Sequence, residues 1–181
     1  MKVTALEISA ILENVTDLST YPDYDYHIQV GPLSSKNANF QTTQYQFRCT
    51  NCGSETEKAM TFNSLEKIPV MNGKSFVNLS FKCKSCSRQS TITIVEGSSS
   101  SYRAENAPSF QSIIELDCRG AEPIHFEPIC PFICQSSLSK KNFTEVDLSE
   151  SNWADYDDQA NESVSILEFK HRFVPKSKSS K

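Results

Sequence analysis

The chain has 181 residues, with 18 basic and 22 acidic side chains and a formal net charge of −4. Hydrophobic types make up 38% and charged types 22%, an ordinary balance for a chain that buries roughly 70% of its unfolded surface without help from a disulfide or a metal. No apolar run approaches the ~20 residues that span a bilayer, Glu7 interrupts any secretory apolar core, and an acidic chain with 10% aromatics fits neither a dedicated nucleic-acid binder nor a disordered protein.

Strand patterns dominate from the N-terminus onward. In residues 3–12, Ala5 and Glu7 face one way while Leu6 and Ile8 face the other. Tyr24, Tyr26, Ile28 and Val30 repeat at period two, and the polar stretch Gly31–Thr43 reads as a loop. Tyr45 and Phe47 lead into Cys49, and Val77, Leu79 and Phe81 lead into Cys83. Residues 91–95 and 112–116 are β-branched and apolar runs, separated by a Gly/Ser tract at Gly97–Ser101 that reads as a flexible turn. Ser149–Asn161, with Trp153 and Tyr156 three apart, predicts a short helical turn or two. Between Val164 and Val174 the apolar phase slips from even to odd positions after Ile166, which predicts a β-bulge or a junction of two strands. Lys176–Lys181 alternates Lys and Ser and reads as a disordered basic tail. The pattern predicts a mostly β, antiparallel, sandwich- or barrel-like protein. One zinc-binding domain is expected over residues 1–175, with pseudo-halves at about 1–97 and 98–175 and the tail beyond.

The strongest chemical signal is a matched pair of CxxC units, Phe47-Arg48-Cys49-Thr50-Asn51-Cys52-Gly53 and Phe81-Lys82-Cys83-Lys84-Ser85-Cys86-Ser87. Each has an aromatic residue two positions before its first cysteine and a base immediately before it. Two intervening residues let a tight turn present both sulfurs to one ion, and two such turns supply a tetrahedron of thiolates. Gly53 accommodates the positive φ that closes such a turn, whereas Ser87 adopts it at a cost. The spacing thus predicts one structural Zn²⁺ per chain on Cys49, Cys52, Cys83 and Cys86, in the first half of the chain, with each knuckle at a strand end and the 30 residues between Cys52 and Cys83 forming an elaborated hairpin. Arg48, Lys82, Lys84 and Arg88 would offset the −2 charge of a zinc tetrathiolate. A redox dithiol needs a CxxC at a helix N-terminus, and the sequence after each unit is β-rich.

The segment Asp117-Cys118-Arg119-Gly120-Ala121-Glu122-Pro123-Ile124-His125-Phe126-Glu127-Pro128, together with Trp153-Ala154-Asp155-Tyr156-Asp157 and the later Glu162-Ser163-Val164, resembles the corresponding motifs of the eukaryotic CXXC-motif-containing zinc-binding protein family, a domain of unknown function. The resemblance runs from Val3 to Val174. It implies a mostly β protein of two similar halves, with zinc held in the first half by the four matched cysteines and no reaction assigned. The loop Gly31–Thr43 is longer than the family pattern, and Cys130 and Cys134 match no family cysteines.

The remaining candidates carry weaker signals. Cys118, His125, Cys130 and Cys134 show no ligand spacing and read as packing residues rather than a second metal site. Asp155-Tyr156-Asp157-Asp158 fails as a calcium loop, because Ala160 and Ile166 stand where Gly and Glu are needed. It reads as a solvated acidic turn anchored by Trp153 and Tyr156. Arg119 and Glu122 around Gly120 predict an internal ion pair, with a ligand-facing pair as the alternative. His27, His125 and His171 are scattered, and no nucleophile, phosphate-loop or zinc-protease motif occurs, so no catalytic residue is expected. With seven cysteines and no recognisable leader, the expected location is the reducing cytoplasm, with the nucleus also open. The expected function is a monomeric, non-catalytic zinc protein that binds an as yet unknown protein partner, with no membrane or nucleic-acid role. The acidic Glu150–Glu162 and basic Lys170–Lys181 segments would steer the encounter. The alternative is a thiol-redox or zinc-switch protein that uses the CxxC pairs.

Overall fold

A computed structural model describes residues 2–20, 44–56, 60–62, 64–65, 67–70, 75–128 and 131–176. The strands are β1 (Lys2–Glu13), β2 (Val15–Thr20), β3 (Gln44–Cys49), β4 (Ile68–Pro69), β5 (Phe76–Val77), β6 (Leu79–Lys82), β7 (Gln89–Ile94), β8 (Gln111–Arg119), β9 (Ala121–Glu127), β10 (Phe132–Ser136), β11 (Asn142–Val146), β12 (Trp153–Asp157) and β13 (Glu162–Lys176). All pairings are antiparallel: a six-stranded sheet β12-β13-β1-β8-β7-β6, a three-stranded sheet β11-β10-β2, and the pairs β3-β9 and β4-β5. The mostly β, barrel-like expectation holds. The strand expected around Tyr24–Val30, the loop Gly31–Thr43, Cys130 and the tail beyond Lys176 lie outside the described residues.

The first strand shows how the sheets are built. Its alternation places Leu6 and Ile8 in the core. The opposite face, expected to be solvated, is also covered: Thr4 to Ala10 are all buried. Glu7 tolerates this because register sets it opposite Arg172 on β13, whose Nε and Nη2 donate to its carboxylate at 2.9 and 2.8 Å. The Arg172 guanidinium in turn lies 4.0 Å over the Phe110 ring. Because β1 pairs with both β8 and β13, strands from either side of residue 97 share one sheet.

The slip read from the apolar phase of β13 is a real bulge, displaced by two residues. Ser9 faces Lys170 but Ile11 faces Leu167, and Glu168 takes up the extra length at a φ of +52°. At the bulge the N–H and C=O of Ala10 are served from elsewhere. The hydroxyl of Tyr102 accepts from Ala10 N at 3.3 Å and donates to Ala10 O at 3.1 Å. Tyr102 is wholly buried beside Leu18, with which it forms a bridge, so the segment expected to be a flexible turn at Gly97–Ser101 leads directly into a core anchor. Ser98 fastens the same turn, its hydroxyl donating to the carbonyl of Val95 at 2.6 Å.

Two expectations are corrected. The helical turn at Ser149–Asn161 is strand β12 flanked by turns. Its three-residue spacing puts Trp153 against Phe143, with ring centroids 5.4 Å apart, and Tyr156 on the other face, where it is 50% exposed and its hydroxyl donates to Asn161 Oδ1 at 3.0 Å within the turn. The segment between the cysteine units is not one hairpin: β3 pairs with β9, and β6 joins the large sheet through β7. Strands β2 and β11 show no clean alternation of burial, whereas β10 alternates buried and half-buried residues in a sequence, FICQS, that does not alternate apolar with polar. Strand β9 even contains Pro123, which sits where the β3-β9 register shifts and needs no full ladder of donors.

Candidate metal centre

Both cysteine units fold into the same knuckle. In the first, Cys49 N–H donates to Ser54 O at 2.8 Å and Gly53 N–H to Cys49 O at 2.9 Å. In the second, Cys83 N–H donates to Arg88 O at 2.9 Å and Ser87 N–H to Cys83 O at 2.8 Å. Gly53 and Ser87 occupy equivalent left-handed positions, with φ of +75° and +58°. The matched aromatics meet beneath the knuckles, with the Phe47 and Phe81 centroids 5.6 Å apart.

The knuckles face each other, so that all four sulfurs lie within 4.8 Å of one another. Cys49 and Cys86 Sγ are 3.7 Å apart, and Cys52 and Cys83 Sγ are 3.5 Å apart. Sulfurs at ~2.3 Å from a tetrahedral ion stand about 3.8 Å from each other, so the donor set fits a zinc tetrathiolate. Among the described residues this is the one group of three or more ligating side chains so close together. Cys49 and Cys83 are buried, Cys86 is half-buried and Cys52 is exposed.

The local field is uneven. The N–H of Cys52, then that of Asn51, hold the Cys49 thiol below its ordinary value. The Ser54 hydroxyl, then its N–H, bring Cys52 down to about 6. At Cys83 the N–H groups of Cys86 and Ser85 pull the same way, but burial and the facing sulfurs of Cys52 and Cys86 leave the thiol raised. Arg88 donates to Asn51 Oδ1 at 3.1 Å and so ties one knuckle to the other. Arg48 is held by Glu55 at 2.9 Å.

Two different sheets supply the knuckles, and Gly120 joins them. Strand β3 delivers Cys49 opposite Ala121 of β9, while β6 and β7 deliver the second knuckle beside Cys118 and Arg119 of β8. Gly120 makes the bend between β8 and β9 at a φ of +79°, and its carbonyl accepts the Thr50 N–H at 3.1 Å. A Cβ there would stand 2.9 Å from both Gln89 O and Ser90 Oγ. A side chain is therefore excluded twice over, by conformation and by space.

The family described as CXXC motif containing zinc binding protein, eukaryotic, matches residues 29–174. The chain belongs to this family. It is 36% identical over 172 residues to UPF0587 protein CG4646 of Drosophila melanogaster, covering 93% of this chain and 94% of that one. It is 33% identical over 171 residues to the CXXC motif containing zinc binding protein of Xenopus laevis, covering 94% and 96%. The crystal structure of C1orf123 superposes with a TM-score of 0.82 at 30% identity, over 96% of this chain and 99% of the other. A hypothetical protein from Plasmodium falciparum, at 24% identity and a TM-score of 0.78 over 96% and 100% of the two chains, shares the fold. The family is a zinc-binding one, and Cys49, Cys52, Cys83 and Cys86 are placed to hold one zinc ion.

Outside the knuckles, several expectations can be compared with the structure. Cys118 and Cys134 are buried, and burial pushes each thiol up to about 12. Arg119 and Glu122 do not pair with each other as expected: Arg119 lies 3.7 Å from Asp117, and Glu122 receives Lys2 at 3.0 Å and Arg48 at 3.9 Å. Strand alternation and the Gly120 bend point the two side chains apart. The acidic turn expected around Asp157 is also corrected, because Asp157 is wholly buried. Burial would raise its carboxyl, but the hydroxyls of Ser136 and Ser139 and the N–H groups of Ala160 and Gln159 hold it at about 2. His125 and His171, far apart in sequence, are neighbours on β9 and β13. Apolar periodicity carries no signal for that cross-strand meeting.

Proposed function

We propose that this protein is a non-catalytic interaction module whose zinc is structural. The reading rests on one observation: four sulfurs converge from two separate sheets, closing the tetrahedron and leaving no position for water or substrate. Such an ion fixes the relation between two surfaces and does not activate a ligand. The partner is a protein. The module acts as a monomer in the cytoplasm, with the nucleus also open, and engages neither membrane nor nucleic acid. Among the described residues no helix is long and apolar enough to cross a membrane. The test assays zinc-replete protein and the Cys49→Ser variant for disulfide reductase and oxidase turnover. Absence of turnover in both supports the reading, and zinc-dependent turnover lost in the variant overturns it. The second reading, a redox-released zinc switch, draws on the accessibility of two ligands: Cys52 is exposed and Cys86 half-buried, so an oxidant reaches one sulfur of each knuckle. Stoichiometric zinc release by hydrogen peroxide, reversed by a thiol reductant, would favour it.

A further inference from the structure

On the side of the fold formed by β9, β13 and residues 149–151, a cleft of about 530 Å³ has His125, Glu127, Ser149, Ser151, Lys170 and His171 in its lining, with the buried Phe126 and Phe169 behind them. It contains none of the four cysteines. The two imidazoles stand with ring centroids 5.9 Å apart and planes at 66°. His171 is fixed by edge-to-face packing on Phe126 at 5.3 Å. His125 is 48% exposed, and its Nε2 lies 3.7 Å from Glu127 Oε1.

We propose that His125 and His171 form a second metal seat, for one divalent transition ion of the imidazole-preferring kind, with the remaining coordination positions open to the cleft. Two imidazoles bound to one ion at ~2.0–2.1 Å have their ring centres about 5–6 Å apart, which matches the observed pair. Glu127 Oε1, 3.7 Å from His125 Nε2, is too far to hydrogen-bond it and contributes a nearby negative charge that favours a cation. Burial, then the nearby His125, lowers the pKa of His171. The donor set is nitrogen and oxygen, so it draws Zn²⁺ or Ni²⁺ without competing for the softer thiolate centre. With only two protein ligands the seat is weaker than the tetrathiolate. It is completed by water or by a small chelating anion in the cleft, beside Lys170.

The test titrates full-length, zinc-replete protein with Ni²⁺, following the imidazole C–H resonances and the retained zinc. The expected result is one further equivalent bound, with paramagnetic broadening of the His125 and His171 signals before that of His27, while the first zinc is retained. His125→Ala changes an exposed side chain and leaves the fold intact. It should weaken this second event at least tenfold, as should His171→Phe, which keeps the ring packing. Glu127→Gln removes only a nearby charge and should weaken it by less than about fivefold. Lack of a second equivalent, broadening centred on His27, or unchanged affinity in His125→Ala would each overturn the proposal.

Discussion

Replacing Gly120 with alanine tests whether one bend holds the two knuckles in register. The substitution forces an L-residue into the left-handed region, which costs about 1–2 kcal/mol. It also drives a methyl group to within 2.9 Å of a backbone oxygen, Gln89 O, and 3.3 Å of Ser90 Cα. Overpacking of that kind costs about 1–3 kcal/mol. The sum, about 2–5 kcal/mol, lowers the melting midpoint by about 4–20 °C for a chain of this size. The steric part is relieved by moving Gly120 away from β7, and that motion carries the first knuckle with it through the Thr50–Gly120 hydrogen bond. Zinc must then draw the knuckles together against the strain, so its affinity falls by roughly 5- to 150-fold. Gly97→Ala is the control. Gly97 has a similar φ of +74°, but a Cβ there meets nothing within 4 Å. It should show only the conformational cost and unchanged zinc affinity. Competition with a chromogenic zinc chelator, together with thermal melts of both variants, decides the matter. Equal melting shifts and equal zinc affinities in the two variants would refute the clamp.

Purified protein should contain zinc near a 1:1 ratio by elemental analysis. Chelation should free the β3-β9 and β6 ends but leave most of the far-ultraviolet strand signal, because β1, β8 and β13 pair without the metal; complete loss of that signal would show that the large sheet depends on zinc. Tyr102→Phe leaves the Ala10 N–H and C=O unserved at the bulge and should cost about 1–3 kcal/mol by denaturant titration, with no change in zinc content. Asp157→Asn should lower the thermal midpoint by roughly 5 °C at neutral pH. The folded carboxyl at about 2 lies below its ordinary value of 3.8, so its stabilisation is present above pH ~4 and lost as the pH falls toward 2. Melts across that window should therefore slope less in the asparagine variant than in the parent.

Local chemistry was legible in the sequence and long-range pairing was not. The knuckles could be read because the constraint is local: two residues between sulfurs and a left-handed closing residue, Gly53 or Ser87, recur in both units. The β13 bulge could be read to within two residues, because an extra residue shifts the apolar phase. Trp153 and Tyr156 misled because a three-residue interval fits a helix as well as opposite faces of a strand. The cover over Glu7, the meeting of His125 with His171, and the separation of β3 from β6 depend on register between strands more than 40 residues apart in most cases. No periodicity within a single segment encodes them.

The central place of β1 shapes how the protein is made. It is synthesised well before its two neighbours, which start at residues 111 and 162. While the chain is emerging, Leu6 and Ile8 have no sheet to enter, and the zinc ligands are complete well before the large sheet can close. The knuckles can thus take up metal on an otherwise open chain, whereas burial of the first strand waits for the last. Folding of this kind is slow relative to local hairpins and leaves an apolar edge exposed during synthesis, the period in which a holding chaperone would find its substrate.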